Sequence, residues 1–264
     1  MSENILMNAI TPHPPIIIPE IGGSELKKVE KTVNALKSLS EEIVEINPDT
    51  VVVLTPHSSL NPYFFSAYSG ETLKGNFAKF RAPEVSIEFN NDVEFINELN
   101  ILVKKDLGRL NLLPPGVPLD HGSGVPLYYL DKAGYKNNVV VINYTALGKR
   151  EHNLFGKKIS ETAQNLGRKI VFIASGDLSH KLIPGAPAGY NEDAHLFDDL
   201  ILHSIKNGNY VPIANISPEL RETAGECGYN SIMVAFGLID SKPLNNEVLS
   251  YEAPFGVGYI VAKL

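Results

Sequence analysis

The chain is poor in cysteine and has no long apolar run. Its 264 residues include a single cysteine, Cys227, so no disulfide can form within the chain, and a reducing compartment is expected. No stretch approaches the roughly 20 apolar residues that a membrane span needs. Residues 1–4 lack the positive charge of a secretory signal, and Asn8 and Pro12 interrupt the apolar stretch that follows. These absences predict a cytoplasmic protein that does not enter a membrane.

An excess of basic residues is missing as well. The chain has 23 Lys and Arg against 30 Asp and Glu, which gives a formal net charge of −7. Proteins that bind nucleic acids usually carry a basic face, so we expect no nucleic-acid partner. The sequence is 44% hydrophobic, which is enough for the core of one large domain or of two small ones. The sequence leaves a homo-oligomer open.

Short apolar runs alternate with amphipathic segments along the chain. Apolar residues recur at helical spacing through 24–46, and Asn47-Pro48-Asp49 separates this helix from a predicted strand at 51–54. Further strands are predicted at 5–10, 63–69, 85–89, 139–142, 170–174, 247–251 and 259–262, further helices at 91–105, 152–166, 193–206 and 229–239, and a loop rich in proline and glycine at 112–126. The alternation predicts an α/β protein: a single three-layer α/β/α domain over residues 1–264 with a central, mostly parallel or mixed sheet.

Three histidines follow predicted strands. His13 and His57 share one local frame, an apolar run followed by Thr-Pro-His, and His180 ends the segment Ser-Gly-Asp-Leu-Ser-His after the strand at 170–174. In open α/β sheets, ligands bind outside the carboxyl ends of the strands, so parallel neighbours would bring these histidines to one crevice. Because imidazole binds metals and exchanges protons near neutral pH, the pattern indicates an enzyme.

Two histidines and one carboxylate make a facial triad that leaves one face of an iron(II) ion open. We predict that Glu226 is the carboxylate, because it lies between Gly225 and Gly228, and glycine lets the backbone turn tightly or approach another group. The alternatives are structural. A lone loop histidine is usually a surface residue, Glu226 suits the N-terminus of a helix, and Cys227 is most simply a small buried apolar residue.

Other histidines are predicted to act beside the metal rather than on it. His121 and His180 suit an acid/base role. Asp177 either orients His180 or caps a turn, and Asp120 beside His121 has the same two interpretations. Three histidines within predicted helices are interpreted as surface or structural residues: His152, His195 and His203.

Five short motifs occur together and in order. They are Pro-His-Pro-Pro at 12–15, Thr-Pro-His-Ser at 55–58, Asp-His-Gly-x-x-Val-Pro-Leu at 120–127, Ser-Gly-Asp-Leu-Ser-His at 175–180 and Gly-Glu-Cys-Gly at 225–228. The set resembles the catalytic (B) subunit of class III extradiol ring-cleavage dioxygenases, and more closely the Memo-related branch, to which the segment 251–259 is similar. The resemblance spans nearly the whole chain.

The resemblance implies a metal site and a reaction. It implies that His13, His57 and Glu226 bind iron(II), with zinc or manganese as other occupants, that His180 is the acid/base and that His121 faces the substrate. It also implies that a catechol-like aromatic diol chelates the metal and that O2 opens its ring. Two other functions stay open: a zinc-dependent hydrolase, and a non-catalytic Memo-like module that binds a ligand or a partner.

Overall fold

The structure is a computed structural model that describes residues 3–58 and 61–264. The strands are β1 (Ile5–Thr11), β2 (Thr50–Thr55), β3 (Ser66–Tyr68), β4 (Thr72–Phe77), β5 (Ala82–Asn90), β6 (Asn111–Leu113), β7 (Asn138–Asn143), β8 (Ile170–Ser175), β9 (Glu247–Glu252) and β10 (Tyr259–Lys263). The α-helices are α1 (Pro19–Gly22), α2 (Glu30–Ile46), α3 (Val93–Val103), α4 (His121–Ala133), α5 (Lys149–Leu166), α6 (His195–Lys206), α7 (Val211–Ala214), α8 (Pro218–Ala224) and α9 (Tyr229–Leu238). Short 3-10 helices span Pro15–Ile17, Gly23–Val29 and Ala78–Phe80.

Eight strands form a central mixed sheet in the order β6-β3-β7-β2-β8-β1-β10-β9. The four strands in the middle, β7, β2, β8 and β1, are parallel to one another. The strands beside them run the other way, because β3 is antiparallel to β7 and β10 is antiparallel to β1. The predicted α/β class with a mostly parallel or mixed central sheet is confirmed. The carboxyl ends of β2, β8 and β1 consequently lie side by side at one edge.

The middle strands are buried on both faces. Val51 and Val53 belong to one hydrophobic core, and Val52 and Leu54 belong to the other, as expected when successive side chains alternate across a strand. Leucines of α2 and α4 complete the first core, and apolar side chains of α3, α5 and α9 complete the second. Helices on both faces explain why these strands are continuous apolar runs in the sequence.

The segment 112–126 differs from the prediction. The sequence predicts a loop there, but α4 already begins at His121 and contains Pro126. Asp120 caps this helix, since its side chain accepts the backbone N–H of Ser123 at 3.1 Å. The prolines and glycines of this segment are typical of a loop, but the Asp120 cap specifies the start of α4 within it.

The predicted strand at 85–89 lies outside the central sheet. It is part of β5, which pairs with β4 in a separate antiparallel hairpin that packs beside α4. β4 was not predicted, because a glycine and alternating polar residues weaken its apolar pattern. Among residues 3–58 and 61–264, the helices are too short or too polar for any of them to cross a lipid bilayer.

Candidate metal centre and active-site cleft

Two histidine rings meet where β1 and β2 end. His13 lies two residues beyond Thr11, and His57 lies two residues beyond Thr55, the last residues of these strands. Their Nε2 atoms are 2.8 Å apart. Two nitrogens that each lie about 2.0–2.1 Å from one ion are separated by at most about 4.2 Å. The pair therefore meets the distance requirement for binding one shared metal ion.

The start of α4 brings a third imidazole to this pair. The ring of His121 stacks on the ring of His57, with centroids 4.3 Å apart and an interplanar angle of 19°. The Thr55 hydroxyl donates to the Asp120 carboxylate at 2.6 Å, which ties the helix cap to the end of β2. His13, His57 and His121 offer ring nitrogens that lie within 4.8 Å of one another.

Asp177 and Cys227 reach the same place from two loops that touch through glycine. A Cβ on Gly176 would lie 2.3 Å from Cα of Gly228, so a larger residue would push the two segments apart. The Asp177 backbone N–H donates to Cys227 Sγ at 3.3 Å, and the Cys227 N–H donates to the Asp177 carbonyl at 3.3 Å. This close backbone approach carries both side chains to His13.

His13, Asp177 and Cys227 form a second group of donors within 4.8 Å of one another. Cys227 Sγ and Asp177 Oδ2 each lie 3.7 Å from Nε2 of His13. Imidazole, carboxylate and thiolate are all ligands of iron(II) and zinc(II) in proteins. His13 is therefore the residue that both donor groups share, and the donors around its Nε2 fit a divalent transition metal.

Glu226 has different partners. One carboxylate oxygen accepts from Arg221 Nε at 2.7 Å, and the other accepts the Tyr229 backbone N–H at 2.6 Å. The Glu226 side chain is only 2% exposed. In the part of the chain that the structure describes, Glu226 joins neither donor group. The structure therefore does not bring Glu226 together with His13 and His57, because an ion pair and a helix N-terminus already occupy both of its oxygens.

The assignment of Glu226 as a metal ligand stays a prediction, and it would require both contacts to break. Asp177 and Cys227 were not predicted as metal donors. Cys227 is the next residue after Glu226, so the Gly-Glu-Cys-Gly segment contains both the predicted ligand and a donor that lies near His13.

Burial controls the protonation of the centre. It lowers the pKa of His13, and it lowers the pKa of His57 to about 4, with the neighbouring imidazoles adding to the effect on His57. Burial opposes the ionisation of Asp177, but the nearby His13 and other contacts outweigh it and hold the pKa of this carboxyl below its ordinary value. Burial and the Asp177 charge raise the pKa of the Cys227 thiol. Neutral imidazoles are the form that binds a metal, and binding would displace the thiol proton.

A small cleft opens beside these donors. Its volume is 240 Å³, and it is lined by His13, Pro14, His57, His121, Asp177, His180, Pro187, Val257 and Tyr259. Nε2 of His180 lies 3.8 Å from Asp177 Oδ2 and 3.8 Å from Cys227 Sγ, and the His180 side chain is 22% exposed. His121 and His180 thus share one cleft with His13 and His57, while their roles in chemistry stay predictions.

Over residues 7–262, the chain matches the family described as the catalytic LigB subunit of aromatic ring-opening dioxygenase. The chain belongs to this family. The resemblance to the catalytic subunits of ring-cleaving dioxygenases is therefore confirmed at the level of the family.

Three curated relatives match with different coverage. Protein CA_C1420 of Clostridium acetobutylicum is 37% identical over 97% of this chain and 56% of its own length. The 3,4-dihydroxyphenylacetate 2,3-dioxygenase of Escherichia coli is 21% identical over 95% of each chain. The 2,3-dihydroxyphenylpropionate/2,3-dihydroxicinnamic acid 1,2-dioxygenase of an Escherichia coli strain is 27% identical over 66% of this chain and 56% of its own length. The chain thus spans about half the length of the first and third of these relatives.

The fold is also found in a solved structure. The crystal structure of the uncharacterized protein JW3007 from Escherichia coli K12 matches with a TM-score of 0.60 and 13% identity, covering 86% of this chain and 91% of that chain. At this level of identity, the likeness concerns the arrangement of strands and helices alone.

Proposed function

We propose that this protein is a metal-dependent dioxygenase that opens the ring of a catechol-like aromatic diol with O2. Membership of the LigB family supports this reaction, as do two relatives whose names describe dioxygenases of dihydroxylated aromatic acids. The observation that carries the proposal is the 2.8 Å approach of His13 Nε2 to His57 Nε2 beside a cleft. Its volume of 240 Å³ lies below the range of about 300–1,000 Å³ for drug-sized ligands, which favours a substrate with one ring.

Iron(II) is the proposed ion, with His13 and His57 as its ligands. Three residues are candidates for the third position: His121 shares a donor group with both of these histidines, and Cys227 and Asp177 share one with His13. When bound, the ion supplies a Lewis acid and a template that orients the substrate. Affinity does not select iron, because the same donors bind manganese and zinc, so the metal available to the protein decides its occupancy.

His180 is the proposed acid/base. Its Nε2 faces the cleft, 3.8 Å from a carboxylate oxygen of Asp177, so it can take a proton from a substrate hydroxyl and return it to the product. His121 is held between the rings of His57 and Phe80, at 4.3 and 5.3 Å, and is proposed to contact the substrate.

The test is anaerobic loading of the purified protein with iron(II), followed by oxygen uptake over a panel of single-ring catechols. We expect oxygen consumption together with the near-ultraviolet absorbance of a ring-opened product. The His57→Ala variant, which loses a proposed ligand from an exposed position, serves as the matched control. Full iron occupancy without oxygen uptake on any diol of the panel would contradict the proposal.

A zinc-dependent hydrolase is the second candidate function. His13, Asp177 and Cys227 form a set of one nitrogen, one oxygen and one sulfur donor that also suits catalytic zinc with an open position for water. The same protein loaded with zinc is assayed on ester and amide substrates. Hydrolysis by the zinc form without oxygen uptake by the iron form would favour this function over ring cleavage.

A further inference from the structure

The second ring nitrogen of His13 points away from the metal donors and toward a buried serine. Its Nδ1 lies 3.0 Å from Ser175 Oγ, and that oxygen lies 2.5 Å from the carbonyl oxygen of Gly122. Both His13 and Ser175 are almost completely buried. A carbonyl oxygen can only accept, so the single proton of the Ser175 hydroxyl lies toward Gly122. The Ser175 oxygen must then accept a hydrogen bond from His13 Nδ1–H, which fixes the neutral ring with its hydrogen on Nδ1.

This tautomer leaves Nε2 of His13 without a proton. Nε2 is the atom that lies 2.8 Å from His57 Nε2 and 3.7 Å from Cys227 Sγ. A histidine that binds a metal usually donates its other N–H to an oxygen, which orients the ring and fixes the tautomer. Ser175 thus presents the lone pair of His13 to the position between the donors.

The Gly122 carbonyl is available to Ser175 because of a proline one turn further along the helix. In an α-helix, the carbonyl of residue 122 would accept from the backbone N–H of residue 126. Pro126 lies inside α4 and has no N–H, so this carbonyl lacks its ordinary helical partner. A buried carbonyl without a donor is costly, and the Ser175 hydroxyl supplies the missing hydrogen bond.

Gly122 also touches the other histidine frame. A Cβ at this position would lie 2.4 Å from Thr55 Oγ1 and 3.2 Å from Cδ2 of His57. The first turn of α4 therefore contacts His57 through the surface of Gly122 and reaches His13 through its carbonyl. One short piece of backbone thus lies against His57 and is linked to His13 through the Ser175 hydroxyl.

We infer that Ser175 and Pro126 are positioning residues. Pro126 leaves the carbonyl of Gly122 free to accept from Ser175, and Ser175 then holds His13 in the tautomer whose Nε2 can bind a metal. The inference deepens the proposed function and rests on it for the assignment of His13 as a ligand. It also gives a reason for the proline inside α4, which otherwise weakens a helix.

The first test is the tautomer itself, measured by nitrogen-15 NMR of histidine-labelled protein without metal. The spectra are recorded near pH 8, above the ordinary imidazole pKa of about 6.5. In the wild type, we expect His13 to carry its proton on Nδ1. In Ser175→Ala, we expect a mixture with the Nε2–H form, since the acceptor of the Nδ1 proton is gone. A wild-type ring protonated on Nε2, or a Ser175→Ala ring identical to the wild type, would overturn the inference.

The second test is zinc affinity, measured by competition with a chromophoric chelator. Loss of a supporting hydrogen bond to a metal ligand typically weakens binding by about 10–100-fold, and we expect a loss in this range for Ser175→Ala. We expect a loss below about tenfold for Pro126→Ala, because the restored N–H shares a carbonyl that has two lone pairs. Unchanged affinity in Pro126→Ala would remove the proline from the inference.

Ser231→Ala is the matched control. Ser231 is also fully buried, and its hydroxyl donates to the backbone carbonyl of Ser175 at 2.9 Å, so this variant loses a comparable hydrogen bond on the same strand. We expect its zinc affinity and its His13 tautomer to match the wild type. If Ser231→Ala weakens zinc as much as Ser175→Ala does, the effect belongs to packing and the inference fails.

These readouts separate the inference from the proposed function. They use zinc and no substrate, so an iron-loaded protein that consumes no oxygen would refute the dioxygenase proposal alone. A wild-type His13 protonated on Nε2 would refute the positioning role alone.

Discussion

The same tripeptide, Thr-Pro-His, ends two parallel strands of the central sheet and produces two different environments. His13 is 1% exposed, and its two ring nitrogens face Ser175 and the metal donors. His57 is exposed, and its ring contacts are the rings of His13 and His121. The local sequence brings both histidines to one edge of the sheet, but it does not decide which of them is held rigidly.

The difference comes from the position of each strand in the sheet. β1 lies between β8 and β10, and residues at the end of β8 hold His13: Ser175 contacts its ring, and Asp177 accepts its backbone N–H. β2 lies between β7 and β8, and the start of α4 rather than a strand-end loop packs beside His57. His13 is consequently the fixed member of the pair, and His57 is its accessible partner.

The largest effect is expected for loss of the shared donor. Replacing His13 with Ala removes a member of both donor groups, whereas His57→Ala leaves His13, Asp177 and Cys227 in place. We expect His13→Ala to abolish binding of iron(II) and zinc(II). His57→Ala should retain weak binding, reduced by more than the about 10–100-fold that loss of a supporting contact costs. Metal titration of both variants by calorimetry measures this, and equal residual affinity would show that the two frames are equivalent.

The next largest effect tests whether His180 is an acid/base or a metal ligand. We expect His180→Ala to keep its metal, because His13 and His57 remain, and to lose about 10²–10⁴-fold in turnover, the usual contribution of a positioned proton donor or acceptor. Metal content and oxygen uptake are measured on the same sample. A His180→Ala variant that loses the metal would instead make His180 a ligand.

A second buried histidine, His152, tests whether burial alone makes a metal site. His152 is fully buried and, like His13, uses Nδ1 in one hydrogen bond, here with the carbonyl of Gly148 at 2.9 Å. Burial lowers the pKa of His152 to about 4. As the pH falls from about 6.5 to about 4, the unfolded chain gains a proton that the folded protein does not, so stability is lost over this range by about 3 kcal/mol.

The His152→Asn variant keeps an N–H donor for Gly148 but does not titrate in this range. We expect its free energy of unfolding, measured in urea, to fall less steeply between about pH 7 and pH 4 than that of the wild type, by about 3 kcal/mol in total. Its zinc affinity should be unchanged, because no metal donor group contains His152 in the part of the chain described. If His152→Asn lost its zinc affinity, His152 would contribute to the metal site despite lying outside both donor groups.

The smallest effect compares the two neighbours in the Gly-Glu-Cys-Gly segment. We expect Glu226→Gln to bind metal normally and to lose about 2 kcal/mol of stability, since it weakens a charged hydrogen bond to Arg221. We expect Cys227→Ser to keep its stability and to lose the sulfur-to-metal charge-transfer band of the cobalt(II) form. A Glu226→Gln variant that loses its metal at unchanged stability would establish Glu226 as the ligand instead.

The sequence predicted the secondary structure best where burial of the side chains produces a regular pattern of apolar residues. The runs at 51–54 and 170–174 are buried on both faces, so their strands and the α/β class were predictable. The four histidines of the cleft were predictable as a group because they follow strands or a turn-rich segment. That Asp177 and Cys227 belong to the donor group around His13 was not predictable. They are brought there by a contact between Gly176 and Gly228, which lie about 50 residues apart in the chain.

By itself, the sequence determined which residues lie at the carboxyl ends of the strands, because hydrophobic period and turn residues are local properties. The tertiary structure decided which of those residues meet. Glu226 and Cys227 are adjacent in the chain, yet one faces Arg221 and the other faces His13. Successive side chains point in different directions, and only the packing of α4 and α9 against β8 sets which residues each of these side chains meets.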